Sequence, residues 1–222
     1  MPAFDSSHVR QALSRLRETR ARILGADAHG FRLNPPLSES EVLTFEQSLA
    51  IMLPSDYRAF LTSVGNGGAG PFYGLFPLGT VDGCFDLRKW EENDGVVGLI
   101  SQPFLLEREW NDLSTFPPQR LLDEDPKEYE KRIDAFDQFY WSCSRMNGAI
   151  PICHQGCGLR LWLIVRGAEA GYVWEDRRAD QAGLKPVRGR DGKPLTFIAW
   201  YQQWLENCLE NASEVRAAIE KL

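Results

Sequence analysis

Nowhere in these 222 residues does an apolar run approach the roughly 20 residues that a bilayer-spanning helix requires; the longest candidates, such as Leu161 to Val165, are strand-sized. A membrane-spanning helix is not expected. The stretch from Met1 to Leu24 breaks its apolar residues with Arg10, Arg15, Arg17, Arg20 and Arg22 and so lacks the apolar core of a secretory signal. Export is not encoded there, and the cytoplasm is the expected location. A basic excess is also missing: 25 Lys plus Arg stand against 31 Asp plus Glu, a net charge of −6 that repels phosphate backbones and anionic membrane surfaces. Direct nucleic-acid and membrane binding are not expected.

Histidine is scarce, with three residues, His8, His29 and His154. His8 and His29 fall in a polar helix and a loop, so an imidazole-based active site has one candidate, and that one lacks a recognisable carboxylate or nucleophile partner. Metal-ligand spacing is absent as well. Cys153-His154-Gln155-Gly156-Cys157 has no second Cys or His pair to complete a four-ligand zinc site. As neighbours in a strand point to opposite faces, His154 cannot readily serve Cys153 as a base; it reads as decorating a turn. The five cysteines are an odd set without an export signal, which suits free, mostly buried thiols in a reducing compartment. No cofactor, metal or catalytic set is expected. Internal repeats, low-complexity tracts and linkers are missing too.

What the chain does have is bulk for a core: seven Trp, six Tyr and twelve Phe, enough large apolar surface to offset the entropy of folding. Val9, Leu13, Leu16, Arg20, Ile23 and Leu24 recur at helical spacing, predicting a first helix from His8 to Leu24 that Gly25 ends. Ser38-Glu39-Ser40-Glu41 has the form of a capping box opening a helix that Leu53-Pro54 stops. Ser55 then caps a second helix carrying Tyr57, Phe60, Leu61 and Val64 on one face, with Gly65 as its left-handed terminus. A loop follows to Pro71, then a short strand over Phe72 to Leu78. Val96 to Ile100 suits either a strand or a helix.

Asp125-Pro126 opens a further helix running to about Cys143, with Tyr129, Ile133, Phe136 and Tyr140 on its inner face. From Ala149 the period shifts towards two, and the runs Ala149 to Cys153, Leu159 to Val165 and Tyr172 to Trp174 form an antiparallel meander signature. Thr196 caps a closing helix whose broad apolar face is expected to pack on that sheet. The order predicts an α+β single domain with a twisted, mainly antiparallel or mixed sheet flanked by helices.

Gly65-Asn66-Gly67-Gly68-Ala69-Gly70 satisfies GxGxxG, but a dinucleotide loop needs a strand before it and a helix after it. Here the order is helix, loop, proline, strand, and the reading is a helix end plus a turn. Asp82, Asp86, Glu91, Glu92 and Asp94 alternate with Phe85 and Trp90. That mixture of aromatic anchors and carboxylates predicts a partner-binding edge, against the plainer alternative of a surface loop with Trp90 buried.

Two blocks carry a family resemblance. The first runs from Leu37-Ser38-Glu39-Ser40-Glu41 through Leu53-Pro54-Ser55-Asp56-Tyr57 and Gly65-Asn66-Gly67-Gly68-Ala69-Gly70-Pro71 to Gly74-Leu75-Phe76-Pro77-Leu78. The second runs from Gly148-Ala149-Ile150-Pro151 through Gly156-Cys157-Gly158, Gly171-Tyr172-Val173-Trp174 and Phe197-Ile198-Ala199-Trp200-Tyr201. Together they resemble the SUKH superfamily, the Smi/Knr cell-wall regulator domain, over about Leu33 to Leu209. The resemblance implies a SUKH-like domain over 31–222 behind a helical extension over 1–30. It also implies structural roles for Pro54, Tyr57, Gly65, Asn66, Gly67, Gly68, Pro71, Gly74, Gly156, Cys157, Gly171 and Trp174, and no catalytic residues.

Bacterial members of this superfamily mostly resemble immunity proteins encoded beside polymorphic toxins, and some eukaryotic members act as signalling scaffolds. The resemblance therefore implies a non-enzymatic protein-binding module. Its partner is a cognate toxin, with a nuclease suited to the acidic balance, or else several partners recruited by a regulatory scaffold. An enzyme using Cys157 or the acidic segment is the remaining alternative. The first helix and the acidic stretch Glu107 to Asp137 depart from a minimal member and are natural places for partner specificity.

Overall fold

A computed structural model describes residues 5–19, 23–81, 85–86 and 97–219. α1 (Ser6–Glu18) starts at Asp5, whose carboxylate accepts from the Ser7 and His8 amides at 2.9 and 3.3 Å and is held below its usual pKa by the Ser7 hydroxyl first and by those amides next. It buries Val9, Ala12, Leu13 and Leu16. The helix stops six residues short of the expected Leu24: Thr19 caps it, its hydroxyl donating back to the Arg15 carbonyl at 2.9 Å. Leu24 is exposed. Gly25, at φ +76°, opens the single turn α2 (Ala26–His29) instead of closing α1.

The capping box at Ser38 is present, with Ser38 Oγ accepting from the Glu41 amide and the Glu41 carboxylate accepting from the Ser38 amide at 2.8 Å. α3 (Glu39–Ser48) ends well before Leu53. The reason is the buried Glu46. Its carboxylate takes the Leu53 amide at 2.9 Å and its backbone carbonyl takes the Ile51 amide, while Ala50 turns the chain at φ +52°. α4 (Ser55–Ser63) is capped by Pro54 without a side-chain bond, so Ser55 is its first residue and not its cap. Tyr57, Phe60, Leu61 and Val64 are buried, as their spacing predicts.

The strands β3 (Ala149–Gly156), β4 (Leu159–Ile164), β5 (Val173–Asp176) and β6 (Leu184–Pro186) make one antiparallel meander in chain order. Trp162 faces Trp174 across β4 and β5, and two bulges bend β3. The only parallel pairing among the described residues is one bridge, Phe104 to Gly167. Both edges are covered. Phe76 donates to Ile152 at 2.9 Å on the β3 side, and Trp110 and Leu184 exchange two bonds of 2.8 Å on the β6 side. The run Phe72 to Leu78 contributes single bridges at Leu75 in place of the expected strand. Pro151 and Pro186 sit on β3 and β6, the two edge strands, where a missing amide is tolerated.

A two-residue hairpin pairs β1 (Thr80–Val81) with β2 (Phe85–Asp86). α5 (Arg120–Glu124) precedes α6 (Pro126–Tyr140), which Asp125 caps through the Glu128 amide at 3.2 Å. α7 (Phe197–Ile219) finds its closest helical neighbours in α1 and α4, forming a helical layer whose Phe197, Tyr201 and Leu205 share one hydrophobic core with the sheet. Between α4 and α7 the rings meet edge-on: Phe60 meets Phe197 at 5.2 Å and Tyr201 at 4.9 Å. One hydrophobic core takes in the helical layer and the sheet, including Leu16 of α1. No helix among the described residues is long and apolar enough to cross a membrane.

Candidate partner-binding surface

The glycine-rich loop is a backbone crossing point. Asn66 locks it, its Oδ1 accepting from the Leu78 amide at 2.7 Å and its carbonyl accepting from Asn34 Nδ2 at 2.9 Å. Gly68 pairs with Leu33 on one side and Leu75 on the other; a Cβ there would lie 2.5 Å from the Arg32 carbonyl oxygen, at φ +93°. Gly65 departs from the expected left-handed helix end. Its φ is not positive, and glycine is required because a Cβ would come within 2.7 Å of the Asn34 oxygen. No helix follows the loop, so the geometry that would cradle a pyrophosphate is not formed. Gly74 turns at φ +98°, Gly156 and Cys157 make the β3 to β4 turn at φ +89° and +52°, and Gly171 precedes β5 at φ +95°.

The reactive side chains are scattered. Cys153 is buried, its thiol donating to the Pro71 carbonyl at 3.2 Å, and burial pushes its pKa far up. Burial raises Cys208 to about 12, whereas Cys157 is exposed and Cys143 half-buried. The expectation of mostly buried thiols thus meets two buried, one half-buried and one exposed among the four described. His154 is not a turn decoration: it lies in β3, stacked on Tyr73 at 4.9 Å and on Phe76 at 5.7 Å. No group of three His, Cys, Asp or Glu among the described residues could hold a metal ion. In the native protein a maleimide should modify Cys157 within minutes and leave Cys153 and Cys208 unlabelled until denaturant is added, checked by peptide mass mapping.

His29, read from the sequence as a loop residue, is half-buried in α2 between Phe31 and Trp204, with ring distances of 5.4 and 6.1 Å. Its Nδ1 accepts from the Phe31 amide at 3.0 Å, while Nε2 is buried near the Gly70 backbone without a hydrogen bond of good geometry. Burial lowers its pKa, and the Gly70 backbone offsets this only in part. The neutral ring is therefore favoured in the folded state, and the unfolded chain takes up the proton first. Stability should be flat above the unfolded value of about 6.5 and fall as pH drops through it. Urea midpoints from pH 7.5 to 5 should decline less steeply in His29→Gln than in the wild type.

Of the residues expected to form a partner-binding edge, Asp82, Trp90, Glu91, Glu92 and Asp94 lie outside the described residues. Phe85 and Asp86 form β2, paired with Val81 and Thr80, and β1 lies against β3. The described apolar surface gathers elsewhere. Phe116, Leu122, Phe139 and Trp141, all exposed, lie on α5, α6 and the segments beside them. Between α6 and the loop before α5 runs a groove of about 560 Å³, walled by Phe116, Pro117, Phe136 and Phe139. Phe139 is in turn held by Arg145, whose guanidinium stacks 3.7 Å over Trp110 and 4.4 Å over Phe139. The far end of α6 is anchored by Arg178, which donates to the Tyr140 and Ser142 carbonyls at 3.1 and 3.3 Å.

A family model described as the SMI1 / KNR4 family (SUKH-1) matches residues 36–185, well over half of the chain. The chain belongs to that family. No curated protein and no solved structure is detectably similar to it.

The SUKH-1 match takes in α3, α4, the Gly65 to Leu78 crossing and the four-stranded sheet up to Lys185 in β6, and it stops short of α1, α2 and α7. Those outer elements are nonetheless built onto the family core. α1 packs on α7, and Arg10 donates to the Ser63 and Val64 carbonyls at the end of α4, at 3.3 and 2.7 Å.

Proposed function

We propose that this SUKH-1 chain is a non-enzymatic immunity-type protein, acting in the cytoplasm, that binds and neutralises one cognate toxin domain. The carrying observation is family membership; beside it, two of the candidate reactive groups are engaged in packing, Cys153 bonding a loop carbonyl and His154 stacking on Tyr73 and Phe76. The net charge of −6 favours a basic partner, such as a toxin domain acting on nucleic acid. The domain proper would span 31–222, with 1–30 as a helical extension whose α1 lies against α7 and the end of α4. The segment 82–94 is retained as one part of the contact surface.

The test is co-expression with the toxin domain encoded by the adjacent gene, read as growth rescue and as affinity of the purified pair. Rescue with a dissociation constant of about 1 nM or tighter supports neutralisation, since inhibition of this kind needs slow dissociation. Absence of both complex and rescue overturns the proposal. Micromolar binding to several proteins without rescue overturns it in favour of a regulatory scaffold.

A further inference from the structure

α6 is unusual in how little of it is buried. Of its fifteen residues only Phe136 and Tyr140 are buried, so the helix rests on the domain by a narrow stripe. One flank of that stripe opens into the groove walled by Phe116, Pro117 and Phe139, with Phe136 at its floor. Arg132 is the cation of the lining, and it is neutralised by Glu128 at 2.8 Å. The other flank carries Glu130, Asp134 and Asp137 one helical turn apart, all exposed. Residues 107–137 hold ten carboxylates against five basic side chains, so this segment carries −5 of the chain's −6. A helix is only about 10 Å across, close to the Debye length of about 8 Å at physiological salt. The carboxylates on one flank therefore act on anything approaching the groove on the other.

We propose that the α6 groove is the docking surface for the basic protein partner, with an apolar side chain of that partner seated between Phe116 and Phe139 and the surrounding carboxylates steering its approach. The inference rests on the immunity reading and adds where the contact is made. A second copy of this chain is a poor occupant, because a symmetric contact would bring two segments of −5 together. Apolar contact and charge have separable kinetic signatures. Losing a central aromatic anchor speeds dissociation, whereas losing peripheral carboxylates slows association and weakens its salt dependence.

The experiment is surface plasmon resonance of the full chain against the toxin domain encoded beside it. Phe139→Ser and, independently, Phe116→Ser should each raise the dissociation rate by about ten-fold or more. Asp134→Lys with Asp137→Lys should lower the association rate and flatten its dependence on salt between about 50 and about 300 mM. Leu43→Ser, on exposed α3, should change neither. Wild-type binding that both folded Phe variants leave intact overturns the groove while the immunity reading stands. Failure of the wild type to bind sinks both. A dimer of the isolated chain that Phe139→Ser dissociates reassigns the groove to a second copy and overturns the proposal.

Discussion

Replacing Arg178 by alanine should lower the unfolding free energy by about 3–5 kcal/mol, the cost typical of stranding one member of a buried ion pair. Arg178 and Asp176 are nearly inaccessible, with side-chain exposures of 6% and 8%. The guanidinium donates from Nε and Nη2 to the two carboxylate oxygens at 2.9 and 2.6 Å, the forked geometry that lysine cannot reproduce. Asp176 also accepts from the Arg178 amide at 3.2 Å, and the remaining nitrogen, Nη1, reaches the carbonyls that end α6. Removing the cation leaves a carboxylate buried without its counterion and frees the end of α6 together. Urea unfolding at pH 7 measures the loss. Arg178→Lys should fall between wild type and alanine, and Asp176→Asn with Arg178→Met should recover a large part of it by removing both charges. A loss below about 1 kcal/mol would mean the pair is solvated, as exposed pairs are.

How much of this was legible in the sequence depends on how local each signal is. The Ser38 capping box and the Asp125-Pro126 start of α6 were readable because the bonds they make lie within three residues of the signal. The meander was readable from its period of two. Lost were features set by distant partners. α3 stops at Ser48 because Glu46 turns inward to the Leu53 amide, and nothing in a helical pattern marks which glutamate will do so. β6 was missed because Leu184-Lys185-Pro186 is three residues long and contains a proline. Only its partners, Trp174 to Asp176 on one side and Trp110 on the other, make it a strand.

The surface was less legible than the core for the same reason. That Glu107 to Asp137 is acidic could be read directly, but not that α6 would bury only Phe136 and Tyr140, or that Phe116 and Phe139 would face each other across a groove. Arg145 shows the limit well. It lies outside the acidic stretch, and its place over Trp110 and Phe139 depends on a chain reversal after α6 that no short-range pattern announces. Gly65 carries the opposite lesson. Glycine was needed there, but because the Asn34 backbone passes close by, not because the helix ends left-handed.

Trp174→Ala should be comparably severe, at about 3–5 kcal/mol, a large share of the 5–15 kcal/mol by which domains are typically stable. Trp174 has no exposed surface, faces Trp162 across β4 and β5, and takes Phe104 edge-on at 4.9 Å. Its neighbours belong to backbone ladders on both sides and cannot collapse into the space left behind, so the cavity persists and its cost adds to the lost transfer energy. The indole Nε1–H is buried with no acceptor among the protein atoms, which distinguishes the ring's bulk from its polarity. Trp174→Phe keeps an aromatic ring against Phe104 and removes the unpaired donor, whose burial costs about 1–3 kcal/mol. It should therefore lose less than half of what alanine loses, measured by thermal and urea unfolding. Equal losses in the two variants would show that the bicyclic shape, and not aromatic contact alone, holds β4 and β5 against the segment that carries Phe104.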